Sequence, residues 1–134
     1  MAFIVDKQRI PFREWQKLVP LISASMYLED VVRFLKDWYD ESSTVPVYTS
    51  GSTGKPKLRL LAKSSMLASA RKTGEFFKFA NGQLALLGLS SKFIAGKMMI
   101  LRCIEYDMDL ILMAPSTNPV GGVESKIDLS LIHI

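Results

Sequence analysis

Two short, continuous apolar runs, QLALLGLS (83–90) and DLILMAP (109–115), enclose a segment of helical periodicity, FIAGKMMILRCIEY (93–106). The runs read as buried strands, and the segment between them reads as a helix with Gly96 near its start. Upstream, SSMLASARKTGEFFKF (64–79) sets Met66, Leu67, Ala70 and Phe77 on one helical face, with Ser64 at a plausible cap. Before that, KLRLLAK (57–63) alternates Leu58, Leu60 and Ala62 against Lys57, Arg59 and Lys63, a period of two that predicts a strand. Strands and helices therefore alternate along the chain, which favours an α/β layered domain.

The 134 residues suit one domain with a packed core. A hydrophobic fraction of 49% excludes a disordered tail. No long uncharged apolar run is present, so no transmembrane helix is expected. Asp6 and Lys7 fall where a secretory signal needs apolar residues, so a cytoplasmic location is expected. The one cysteine, Cys103, has no thiol partner or placed His and reads as a small buried hydrophobe. No metal-ligand cluster stands out, and no residue reads as a catalytic base. Asp107 and Asp109 are expected to end the helix at 93–106 rather than to work as an acid–base pair.

In YLEDVVRFLKDWY (27–39), Leu28, Val31, Val32, Leu35 and Trp38 recur at helical spacing, and DESST (40–44) then reads as a turn. VPVYT (45–49) predicts a short strand whose Pro46 favours an edge. SGSTGKP follows, so this loop joins two strands in hairpin fashion and opens onto no helix. Gly51 and Gly54 permit positive φ and close backbone approach, and exposed amides in such a loop form a concave donor site for phosphate oxygens. Thr49, Ser50, Ser52 and Thr53 add hydroxyl donors, while Lys55 and Lys57 add charge. Together these groups suit a polyphosphate. A Walker loop is excluded: the two glycines are three apart, Lys55 is followed by Pro56, and a strand comes next. No G-x-G-x-x-G occurs, which removes the dinucleotide fingerprint.

Charge points to the same place. Residues 41–80 hold seven Lys/Arg and two Asp/Glu, whereas 1–40 hold six of each and 81–134 hold four and five. The net +4 therefore arises in one block beginning at the loop, where a positive field concentrates anionic ligands. A solvated basic face is the plainer explanation of such a cluster. A module that binds nucleic acid or other anions through 55–78 is a further alternative. Phe76, Phe77 and Phe79, at a helix end, read as core rather than as a stacking platform, so nucleic acid is not among the expected partners.

The stretch Tyr48–Lys57, YTSGSTGKPK, resembles the signature of the AMP-forming acyl-/aryl-CoA synthetase (adenylate-forming) superfamily. The resemblance implies that Thr49, Ser50, Gly51, Ser52, Thr53 and Gly54, with Lys57, contact the β- and γ-phosphates of ATP while a carboxylate attacks the α-phosphate. Lys55 falls at a variable position of that signature. Leu58 stands where many members carry Gly. LSSKFIAGKMMILR (89–102) resembles the family segment in which a strand end turns into a helix beside the acyl pocket; by that alignment Phe93 occupies a position often held by His or an aromatic, and Gly96 borders the carboxylate substrate. Most residues of that segment, Met98, Met99 and Leu101 among them, read as ordinary core.

A lead of fewer than fifty residues, followed by SGSTGKPK and then an IAGKMM run, is similar to compact o-succinylbenzoate–CoA ligases of menaquinone biosynthesis. The implied fold is the N-terminal part of the ligase large domain, α/β with layered helices and a mixed sheet. The implied reaction uses ATP, Mg2+ and CoA with a small carboxylic acid, o-succinylbenzoate; another acyl- or aryl-CoA ligase is the alternative. Family magnesium, ribose and lid motifs do not occur in this sequence, so residues 1–128 are expected to be a partial, truncated AMP-binding domain without ligase turnover of its own. LSLIHI (129–134) is what the transposon adapter CTGTCTCTTATACACATC encodes in frame, so an adapter-derived tail is expected there. A native gene that continues naturally through LSLIHI would contradict this. His133, the one histidine, is accordingly given no chemical role. Strands 83–90 and 109–115 are expected to expose apolar faces and to lower solubility.

Overall fold

A computed structural model describes residues 1–49 and 54–115. Their order is β1 (Ala2–Val5), β2 (Gln8–Pro11), a 3-10 segment (Phe12–Leu21), α1 (Leu28–Tyr39), β3 (Thr44–Thr49), β4 (Lys57–Ala62), α2 (Lys63–Phe77), β5 (Leu84–Leu87), α3 (Ile94–Glu105) and β6 (Asp109–Leu112). The α/β class is as expected, and the sheet is mixed. Four strands lie in the order β2-β1-β6-β5, with β1–β2 antiparallel and both β1–β6 and β5–β6 parallel. β3 and β4 form a separate antiparallel hairpin in which Thr49 pairs Lys57.

The first eleven residues form a hairpin that inserts β1 beside β6. Alternation is too brief in AFIV and QRIP to announce strands, and their pairing is decided 100 residues away. Arg9 donates two hydrogen bonds to the Asp109 carboxylate, at 2.9 and 3.1 Å, and the Ala2 amide donates a third at 3.2 Å. Asp109 is therefore a pinned strand residue, not a helix terminator. Asp107 does occupy the turn after α3, with φ 51°.

α1 buries Leu28, Val31, Val32, Phe34 and Leu35 on one stripe. The DESST turn forms as expected: the Ser42 amide donates to Asp40 Oδ1 at 2.8 Å, and the Thr44 amide donates to Ser42 Oγ at 3.2 Å. α3 is buried without a break from Gly96 to Cys103, as a helix enclosed by neighbours on all sides must be. Met98, Met99 and Leu101 are core, as expected. Cys103 is also buried, and burial pushes its thiol up to about 12.

Three expectations need correction. α2 begins at Lys63 with Ala62 at its cap and no side-chain capping bond, so Ser64 does not cap it. The reason is that β4 runs straight into the helix and the Lys63 amide donates to Ser43 O at 2.9 Å. The second correction concerns the aromatic run. Phe79 is buried, but Phe76 is 80% and Phe77 48% exposed. Lys78 adopts the left-handed region (φ 56°) and the Phe79 amide donates to Gly74 O at 2.9 Å, closing α2 just before the buried Phe79, while Phe76 and Phe77 sit in the last turn of α2 off its buried stripe of Met66, Ala70 and Gly74. Third, β5 and β6 do not expose apolar faces: Ala85, Leu86, Leu87, Leu110 and Leu112 are buried under α3 and beside β1. Exposure falls on β4 instead, at Leu58 and Leu60.

Candidate functional site

The loop is carried by the free end of the β3–β4 hairpin. Thr49 and Lys57 are its last paired residues, and Thr49 Oγ1 donates to Lys57 O at 3.4 Å. Lys57 is exposed and Thr49 half-buried, so the two flank the loop mouth with a hydroxyl and an ammonium. Gly54 has φ +82° with open space around its Cβ position, so this glycine is required by backbone conformation and not by crowding. Ser50, Gly51, Ser52 and Thr53 lie outside the described residues.

At its base the hairpin is tied to the end of α1. Lys63 Nζ donates to Asp40 Oδ1 at 2.7 Å and to Asp40 O at 2.9 Å. That bond and the Ser42 amide hold the Asp40 carboxyl below its ordinary range. At the loop end, the backbone of Tyr48 makes a parallel bridge with Phe93. This bridge brings together two regions that were separate in the sequence argument: the residue before Thr49 and the residue that opens α3.

Phe93 is half-buried and extended (φ −102°, ψ 163°), directly before the helix. Gly96 is buried against the preceding turn. A Cβ there would meet Ser90 O at 2.3 Å and Ser91 Cα at 2.7 Å. Glycine is thus demanded by the backbone of the turn, whatever lies in the pocket beyond. The turn from Ser90 to Phe93 is held by the Lys92 amide on Ser90 Oγ (3.2 Å) and the Phe93 amide on Ser90 O (3.5 Å).

Beside this turn, at the carboxyl ends of parallel β5 and β6, lies a small cleft. Tyr27, Asp30, Val31, Leu89, Ser90, Ser91 and Met113 are among its walls. In open α/β sheets ligands bind at this end of the strands. Tyr27 Oη donates to Leu112 O at 3.1 Å, and burial first, then Asp6, raises its pKa to about 12, so the phenol stays protonated. A larger open cleft of about 700 Å³, walled by Met1, Phe12, Arg13, Trp15, Tyr39 and Asp107, lies at the opposite strand ends and contains none of the expected site residues.

Sequence reasoning gave no role to Tyr27, Ser90, Ser91 or the buried Lys97, although the last three lie in the segment 89–102 whose resemblance it noted. The signal available was Lys97 alone among apolar neighbours in FIAGKMMIL, which reads equally well as an exposed helix position. Among the described residues no three His, Cys, Asp or Glu side chains converge as a metal site. No helix among them is long and apolar enough to cross a membrane.

No family model matches the chain, and no curated protein matches its sequence. Solved structures do match. An acyl-CoA synthetase (AMP-forming)/AMP-acid ligase II-like protein from Dyadobacter fermentans superposes with a TM-score of 0.70 and 33% identity, over 75% of this chain and 29% of that one. The N-terminal subdomain of Klebsiella oxytoca NpsA, in complex with 3-hydroxyanthranilyl-AMSN, matches with a TM-score of 0.51 and 15% identity, over 86% of this chain and 49% of that one. The same subdomain in another crystal form gives a TM-score of 0.54 at 16% identity, covering 51% of its length. The NpsA likeness is one of fold. The structural neighbours thus include AMP-forming acyl-CoA synthetase/AMP-acid ligase II-like proteins, which supports the adenylate-forming superfamily. The chain spans 29% of the synthetase and about half of the NpsA subdomain.

Proposed function

We propose that this chain supplies the phosphate loop and part of the acid pocket of an AMP-forming acid–CoA ligase. The observation that supports the reading best is the Tyr48–Phe93 bridge, which sets the end of β3, where the SGSTGKP segment begins, beside the turn at the carboxyl ends of β5 and β6. In this reading Thr49, Ser50, Gly51, Ser52, Thr53, Gly54 and Lys57 hold the β- and γ-phosphates of ATP, and Phe93 and Gly96 border the acid. The substrate carboxylate attacks the α-phosphorus, the bond to the pyrophosphate oxygen breaks, and acyl-adenylate and pyrophosphate form. CoA thiol then displaces AMP to give the thioester. The carboxylate is already ionised, so the first step needs no general base. The loop acts by position and charge: it holds pyrophosphate in line and stabilises the negative charge that develops on it. Magnesium, when bound, would further neutralise the phosphates. We further propose o-succinylbenzoate as the acid, on the similarity of SGSTGKPK and the IAGKMM run to compact ligases of that type, and a cytoplasmic setting.

The test is ATP binding by the chain, followed by titration calorimetry. Lys57→Ala is expected to weaken ATP at least about tenfold, the loss of one charge-assisted contact. Wild-type chain that binds no ATP, or a variant that binds as well as wild type, overturns the assignment. The exposure of Phe76 and Phe77 near Lys72 and Lys78 favours a second reading, nucleic-acid or anion binding through 55–78. It requires salt-sensitive binding of single-stranded RNA or DNA that falls when several of these Lys/Arg are changed together.

A further inference from the structure

Lys97 is 5% exposed, in the second turn of α3, in a row of apolar residues. Its Nζ donates to Ser91 O at 2.7 Å and lies 5.5 Å from the centre of the Phe34 ring. Asp30 and Asp37 attract it and Arg33 repels it, but burial is the largest influence and lowers its pKa. Removing an ammonium from water is costly, and a methionine of similar length would fill the same space without that penalty, as Met98 and Met99 do beside it. The side chain therefore contributes something other than burial. Its one carbonyl partner belongs to the turn that leads into Phe93, and Phe93 is bridged to Tyr48, the residue before Thr49.

We propose that Lys97 is a positioning residue: from inside the core it clamps the Ser90–Phe93 turn and, through the Phe93–Tyr48 bridge, sets where the end of β3 at Tyr48 and Thr49 sits. Two contacts fix the turn from the α3 side, the Lys97 ammonium on Ser91 O and the close approach of Gly96 to Ser90. The main-chain amide of Lys97 also donates to Phe93 O at 3.2 Å, so one residue holds the turn at both Ser91 and Phe93. The effect on ATP rests on the phosphate-loop reading above; the clamp itself does not.

The experiment compares wild type, Lys97→Met and Lys97→Arg by thermal unfolding, amide hydrogen exchange at Phe93 and Tyr48, and ATP titration. Lys97→Met is expected to keep or raise the unfolding midpoint, to speed exchange at those two amides, and to weaken ATP about tenfold through a displaced end of β3. Lys97→Arg, which keeps a donor for Ser91 O, is expected to restore exchange and affinity. Unchanged exchange in Lys97→Met overturns the clamp, and so does equal loss in both variants. Failure of Lys97→Met to unfold cooperatively also overturns it, since Lys97 would then be a requirement for folding. Absence of ATP binding in wild type overturns the phosphate-loop reading instead, while exchange still decides the clamp.

Discussion

β4 carries Leu58 and Leu60 at 57% and 66% exposure, whereas α3 keeps eight consecutive residues inside, two of them the cations Lys97 and Arg102. The leucines lie on β4, which has only β3 and α2 as neighbours; α3 is packed by α2, β3, β5 and β6. Place in the layers, not polarity, decides burial here. An element enclosed on every side buries even its charges, while an element at the margin exposes even its leucines.

The largest effect expected from disturbing this contrast is at Gly96. Gly96→Ala drives a methyl into the Ser90 carbonyl, a backbone group that cannot rotate away. A loss of ~3 kcal/mol in urea unfolding is expected. A loss below ~1 kcal/mol would show that α3 can retreat from the turn. Next is Arg102, whose Nε and one Nη have no partner among the described residues. Arg102→Met is expected to stabilise the chain by about 1–3 kcal/mol by removing an unsatisfied buried group. Destabilisation would mean the guanidinium has an acceptor elsewhere, and the contrast with β4 would weaken. The smallest effect is at the hairpin. Leu58→Ser with Leu60→Ser is expected to change stability by no more than ~0.5 kcal/mol each while raising the concentration at which the chain stays monomeric in size-exclusion chromatography. A larger loss would show that this face is covered in solution.

Much of the fold was legible where local pattern and local structure agree. α1, α2, α3, the hairpin around the loop, β5 and β6 all fall within a few residues of their expected bounds, because each is specified by its own periodicity and turn chemistry. The β1–β2 hairpin was not legible, since four-residue strands pair only when β6 is present to receive them. The same holds for the start of α2, whose Lys63 amide is taken up by Ser43 O in the turn before β3, and for Phe76 and Phe77, which lie off the buried stripe of α2. Of the site, Thr49, Gly54, Lys57, Phe93 and Gly96 could be picked out from residue type and motif. Their proximity could not.

What the sequence determined by itself was a chemistry and a period: hydroxyls, glycines and lysines between two strands, then alternating helices and strands. Both are local properties, carried by side-chain type and backbone preference over a few residues. The tertiary structure alone decided that Tyr48 meets Phe93, that Asp109 receives Arg9, and that Lys97 sits indoors on Ser91 O. Those contacts join residues that are distant in the chain or depend on how layers enclose a helix, and neither condition leaves a mark on local composition.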